Sequence, residues 1–195
     1  MKCTSRLFCF FITPCILLLA SCATTEITLV WKDKTFHETS KKMVVVGTFK
    51  SPSIRNFFED EFVKQLQEHG IEAIASYTFV PIVDLTNKDS VNTKIKEIGV
   101  DAVLVTRLVD KKTVENYVQG RVTVVPNYSH HRRRHNFDYI YTPGYMVEEE
   151  YAYAETNIYD IRSEKLIWSA LSTTKISGRD QDLIKSFVKV MVDKL

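Results

Sequence analysis

Apolar and polar positions divide the chain into two grammars, one on either side of residue 114. Before it, short β-branched runs alternate with helically spaced stretches. Met43-Val44-Val45-Val46 is continuous and apolar, as suits a strand buried on both faces. Ser51 followed by Pro52 opens a helix whose stripe is Ile54, Phe57, Phe58, Phe62 and Leu66, with Gly70 closing it. Ile71 to Ala75 returns as a strand. Asp89 or Ser90 starts a second helix on Val91, Ile95 and Ile98, ended by Gly99, and Ala102 to Val109 forms the next buried strand. Between these units, Pro81 argues that Phe79 to Leu85 is loop or edge strand.

After residue 114 the spacing becomes that of long antiparallel strands. Val114 to Val125, Val147 to Ile161 and Lys165 to Ile176 each read as one strand, the last two joined by an Arg162-Ser163-Glu164 turn. A final helix, capped near Asp180 or Asp182, carries Leu183, Ile184, Phe187, Val188, Met191 and Leu195 on one stripe. A βαβαβ unit plus antiparallel strands, packed by three helices, predicts a single α+β domain over residues 43–195 built on one mixed sheet. Residues 22–42 are polar around Ile27 to Trp31 and read as a tether with room for an edge strand.

The first 21 residues stand apart from this body. Lys2 and Arg6 precede an apolar stretch from Leu7 to Ala20, and Leu19-Ala20-Ser21-Cys22 ends it in small residues. That stretch falls short of the roughly 20 residues needed to span a bilayer, and Pro14 weakens it further as a membrane helix. A cleaved signal segment over residues 1–21 is the expectation. Its loss changes the charge: 26 Lys and Arg less these two leave 24, against 24 Asp and Glu. A neutral body is a poor match for nucleic acid, which is not expected as a partner.

The four residues Leu19-Ala20-Ser21-Cys22 resemble the lipobox of bacterial lipoproteins. The resemblance implies that Cys22 becomes the first residue and carries three acyl chains, enough for stable attachment where one chain gives only marginal binding. Ala23, where an Asp would resemble the inner-membrane retention signal, implies the outer membrane. The other cysteines, Cys3, Cys9 and Cys15, fall in the discarded segment, so no thiol remains after Cys22 for a disulfide, a nucleophile or a cysteine metal site.

Little in the body points to catalysis. The only glycine in the turn after the first strand is Gly47, so neither G-x-G-x-x-G nor a Walker loop is present. No G-x-S-x-G or H-E-x-x-H occurs. Asp84, Asp101 and Asp110 are scattered singly and read as turn or solvated residues. No enzyme activity and no cofactor are expected.

The eccentric stretch is Asn127 to Tyr145, NYSHHRRRHNFDYIYTPGY, expected as a long crest between two strands. His130, His131 and His135 are imidazoles that can ligate a transition metal, although three intervening arginines repel a cation. Arg132, Arg133 and Arg134, with Tyr128, Phe137, Tyr139 and Tyr141, instead make a basic, aromatic tip suited to phosphates, anionic headgroups, polymers or an acidic partner. A solvated loop partly neutralised by Glu148, Glu149 and Glu150 has the same composition. Tyr151, Tyr153 and Tyr159 fall on one face of the next strand as a packing ladder, and Trp168 reads as core.

Several stretches together resemble a family of bacterial lipoproteins of unknown function: Met43 to Gly47, Phe58-Glu59-Asp60-Glu61-Phe62, Ile98 to Val105, and Tyr159-Asp160 through Leu166-Ile167-Trp168-Ser169. The βαβαβ start is also similar to the TolB N-terminal domain and the CsgG periplasmic domain. These likenesses imply a non-enzymatic envelope role in binding, scaffolding or assembly. The membrane would be reached through the lipid on Cys22, and an envelope protein or polymer would be the partner. The sequence shows no long amphipathic hairpin of the CsgG kind, which argues against a secretion pore.

Overall fold

The computed structural model describes residues 25–34, 42–86, 88–127 and 136–195. Its order is β1 (Thr25–Lys32), β2 (Lys42–Gly47), α1 (Pro52–Glu68), β3 (Glu72–Ala75), α2 (Lys88–Ile98), β4 (Ala102–Val118), β5 (Arg121–Asn127), β6 (Asn136–Thr142), β7 (Tyr145–Asp160), β8 (Leu166–Ile176) and α3 (Asp180–Val192). A six-stranded mixed sheet runs β1-β8-β7-β4-β2-β3, and β5 pairs with β6 as a separate two-stranded sheet. The fold is α+β, as expected from the two grammars.

The βαβαβ unit supplies the parallel part of the sheet. β2 lies between β3 and β4 and pairs in parallel with both, Met43 opposite Ala73 on one side and Ala102 on the other. β4, β7, β8 and β1 follow antiparallel, with β1 added at the edge by pairing Thr25 to Thr174 and Lys32 to Trp168. Pleating then sends alternate side chains to two cores. Met43, Val45, Leu104, Ile158, Trp168 and Ala170 meet α1 and α3 on one face. Val44, Val46 and Val103 meet Ile95 of α2 on the other.

The packing of α1 on α3 is aromatic. Phe58 lies 4.7 Å from Phe49, 5.0 Å from Phe62 and 5.8 Å from Phe187, centroid to centroid, within the range in which tilted rings attract. α1 ends at Gly70 and α2 at Gly99, both with φ near the left-handed region, +80° and +67°, where a Cβ is strained. The Arg162-Ser163-Glu164 turn closes on Asp160, whose Oδ2 accepts from Ser163 N at 2.7 Å and Ser163 Oγ at 2.6 Å.

Three expectations are corrected and one alternative is settled. Ser51 stands at the N-cap of α1 but makes no capping bond to the backbone, its Oγ lying 3.0 Å from Ser53 Oγ. Arg179, not Asp180 or Asp182, is the N-cap of α3, and its guanidinium bonds Asp182 at 3.0 Å. Of the two alternatives for Phe79 to Leu85 the loop holds, with Ile82 to Leu85 in a short 3-10 turn after Pro81. The strand expected from Val114 to Val125 is divided: Val114 to Val118 are the outer half of β4, which runs on from Ala102 because Asp110-Lys111-Lys112 keeps its pairing to Ala152 and the tyrosines of β7, and Arg121 to Val125 belong to β5.

Candidate functional site

The feature that departs most from a closed α+β body is an arm. β4 leaves β2 beyond Thr106, and β7 leaves β8 beyond Glu150. Val114 to Val118 and Tyr145 to Glu149 continue together as a two-stranded ribbon, after which β5 and β6 pair from Arg121 opposite Thr142 to Asn127 opposite Asn136. Ribbon and hairpin together make roughly 40 Å of paired strand at about 3.3 Å per residue. Two long strands with a crest between them were expected; that they leave the sheet together as an arm was not. The crest is likewise shorter than nineteen residues of loop, since Asn136 to Thr142 is strand.

A network of side chains on one face of the ribbon fastens the arm to the sheet. Glu149 accepts from Tyr151 Oη at 2.8 Å and Asn116 Nδ2 at 2.9 Å, and pairs with Lys175 of β8. Those partners, Lys175 foremost, hold the Glu149 carboxyl below its ordinary range. The same contact with Glu149 raises Lys175 and Tyr151 above theirs. Nearer the body, Lys112 sits 5.3 Å from the Tyr153 ring centroid and Arg107 Nε donates to Glu155 at 2.7 Å. In the tyrosine ladder, Tyr153 makes a cross-strand contact with Lys112, while Tyr151 bonds Glu149 of its own strand.

Two glycines join ribbon to hairpin. A Cβ on Gly120 would stand 2.7 Å from both Gly144 N and Thr142 O, and one on Gly144 would overlap the Tyr117 phenol and stand 2.9 Å from Val118 O. Gly120 lies against the backbone of Thr142 to Gly144, and Gly144 lies under the Tyr117 ring, which is why neither linking residue carries a side chain. Beyond the joint, alternation places Val122, Val124 and Pro126 of β5 beside Tyr141, Tyr139 and Phe137 of β6 on a single face. All six are exposed, Tyr139 by 71% and Tyr141 by 70%. The opposite face mixes Arg121, Thr123, Asp138 and Thr142 with Val125 and Ile140.

Tyr139 and Tyr141 are therefore brought together on the tip. Cys22, His130, His131, Arg132, Arg133, Arg134 and His135 lie outside the described residues. Among the described residues no three His, Cys, Asp or Glu side chains gather where a metal ion would sit, and no helix is long and apolar enough to cross a membrane.

Two concavities open on the body, the first beside the arm's root. One of about 240 Å³ is apolar, with Phe58, Thr106, Leu108, Ala154, Ile184 and Phe187 among its walls. The other, about 430 Å³, runs beside α2 past Asn92, Lys96, Tyr159, Asp160 and Glu164. Its charged groups already have partners, Lys96 with Glu164 at 2.6 Å and Asp160 with Ser163.

The sequence reading missed one buried polar cluster altogether. Arg55 and Glu59 of α1 are 2% and 0% exposed. Glu59 Oε1 accepts from Arg55 Nε at 2.8 Å, Gly47 N at 2.9 Å and Ser76 Oγ at 2.9 Å, while Oε2 accepts from Tyr77 N at 2.8 Å. Arg55 Nη2 donates to Ser76 Oγ at 2.9 Å. One carboxylate thus binds the chain where β2 and β3 end. An Arg and a Glu four residues apart beside an apolar helical stripe was the available signal.

No protein-family model matches the sequence, and no curated protein matches it. Among solved structures, the chain is similar to the PelC dodecamer from Paraburkholderia phytofirmans, with a TM-score of 0.47 and 13% identity, covering 86% of this chain and 95% of that one. It is also similar to lipoprotein GNA1162 from Neisseria meningitidis, with a TM-score of 0.43 and 16% identity, covering 78% of this chain and 96% of that one.

Proposed function

We infer that the chain is a lipid-anchored envelope protein with a non-catalytic role in binding, scaffolding or assembly. It is tethered through Cys22 to the periplasmic face of the outer membrane and makes contact through the arm. The observation that carries this reading is the arm itself, which puts exposed valine, phenylalanine and tyrosine side chains at the end of a ribbon away from both cores. Stable folding of the body does not require such an element, because its cores close without it. A protruding apolar surface is what a contact with another component needs.

Support also comes from the way polar groups are used. Arg55 with Glu59, Glu149 with Lys175, Arg107 with Glu155 and Lys96 with Glu164 each hold pieces of backbone together. The chain joining β5 to β6 adds Arg132, Arg133 and Arg134, so an anionic partner fits the tip's composition.

Cell fractionation tests the reading. The natural protein should sediment with outer membranes and be released by detergent but not by 1 M salt (a concentration of order that collapses the Debye length to about 3 Å). Cys22→Ser should leave the membrane fraction. A natural protein that is soluble, or a Cys22→Ser protein that stays with the membrane, overturns the anchor.

A further inference from the structure

We propose that the β5–β6 hairpin docks on a lipid bilayer, seating Val122, Val124, Pro126, Phe137, Tyr139 and Tyr141 at the level of the headgroups. This goes beyond the acyl anchor: it is a second, protein-borne membrane contact. The six residues form one uninterrupted face on two paired strands. No charge falls on that face; within the described hairpin only Arg121 and Asp138 are charged, and both belong to the other side. Asp110, Lys111, Lys112, Glu115, Glu148, Glu149 and Glu150 are confined to the ribbon behind the joint. An uncharged face, flanked by Arg121 and Asp138 on the opposite side and by Arg132, Arg133 and Arg134 in the connecting chain, matches the change in polarity from hydrocarbon to headgroup. Tyrosine, with an apolar ring and a polar hydroxyl, is favoured at that boundary.

Area argues for a bilayer over a second copy. With about 200 Å² for an aromatic side chain, the three rings, exposed by 57% to 71%, offer on the order of 400 Å², and the two valines and Pro126 bring the face to roughly 600 Å², short of the roughly 800 Å² per partner in a stable protein pair. Edge pairing between copies is also opposed, since Pro126 has no N–H to give and blunts β5. The hairpin's outer edges have no strand partner among the described residues, and unpaired backbone is costly in hydrocarbon. The docking is therefore shallow, with the hairpin lying flat and its edges hydrated.

The chain from Ala23 to Leu195 contains every described strand and helix and has neither Cys22 nor any other cysteine. Vesicle binding by this chain and acylation of Cys22 therefore fail independently. Single Val124→Cys and Thr123→Cys variants, labelled with an environment-sensitive dye, report the two faces. They are titrated with vesicles of phosphatidylethanolamine alone and with phosphatidylglycerol added, which separates an apolar from an anionic requirement.

The dye at 124 should shift to the blue with vesicles and the dye at 123 should not. The triple variant Phe137→Ser, Tyr139→Ser, Tyr141→Ser should lose about 100-fold or more in vesicle partitioning, with an unchanged far-UV circular dichroism spectrum. Vesicle binding that survives the triple change, or no shift at 124 with either composition, overturns the proposal. So does a shift at 124 without vesicles that grows with protein concentration, since the face would then be covered by a second copy.

Discussion

Glu59→Ala tests whether one buried carboxylate holds the ends of two parallel strands. The substitution leaves the Arg55 guanidinium, 2% exposed, without its counter-charge and strips partners from Gly47 N, Ser76 Oγ and Tyr77 N. Breaking a buried pair by removing one member costs about 3–5 kcal/mol, a large part of the roughly 5–15 kcal/mol that stabilises a domain. Removing both charges with apolar residues of similar size, as in Arg55→Met with Glu59→Leu, relieves the unpaired cation. The backbone N–H groups of Gly47 and Tyr77 stay orphaned in that double variant, at about 1–3 kcal/mol each. It should therefore recover part of the loss and remain below the natural protein. Urea unfolding followed by circular dichroism reads these differences, with midpoints compared at constant slope. A loss under about 1 kcal/mol for Glu59→Ala, or a double variant as stable as the natural chain, would refute the reasoning.

Three further outcomes follow from the arm. Gly120→Ala should force the crossing at Gly144 apart, so amide protection measured by hydrogen exchange falls in β5 and β6 while β2 and β4 near Val44 and Leu104 keep theirs. The Glu149 carboxyl is held low, so its contribution is complete above the ordinary carboxylate pKa and is lost as pH falls through its depressed folded value. Protection at Tyr151 and Lys175 should drop in acid, and Glu149→Gln should remove that dependence; equal protection at both pH values contradicts the fastening role. Lys175 titrates above its ordinary value, so the same contact persists through the ordinary Lys range and is lost only as pH rises beyond it, a second window in which Lys175→Met should be flat.

What was legible in the chain was what periodicity encodes. The run Met43 to Val46 and the stripe from Ile54 to Leu66 state burial directly, and each became the element it suggested. Gly70 and Gly99 marked the ends of helices because a positive φ excludes most other residues. The strands of the arm were legible but their departure from the sheet was not, because strands exposed on both faces lack the alternation that marks which side is buried. Asp110-Lys111-Lys112 looked like a break between strands, yet backbone pairing to β7 is indifferent to side-chain charge there. Tyr139 and Tyr141 were singled out for their chemistry and do share a face, but Val122, Val124 and Pro126 joined them only once the register of β5 on β6 was known. Arg55 and Glu59 were passed over since charged residues near an apolar stripe usually point to solvent; here the bend of the chain after β2 and β3 brought N–H groups to meet them.

The most direct test of the central claim is intact mass spectrometry of the protein purified from its own envelope. The account predicts a polypeptide beginning at Cys22 and heavier than Cys22 to Leu195 by a diacylglyceryl group and one further acyl chain. A mature chain that starts elsewhere, or one that starts at Cys22 with no added lipid mass, would contradict it.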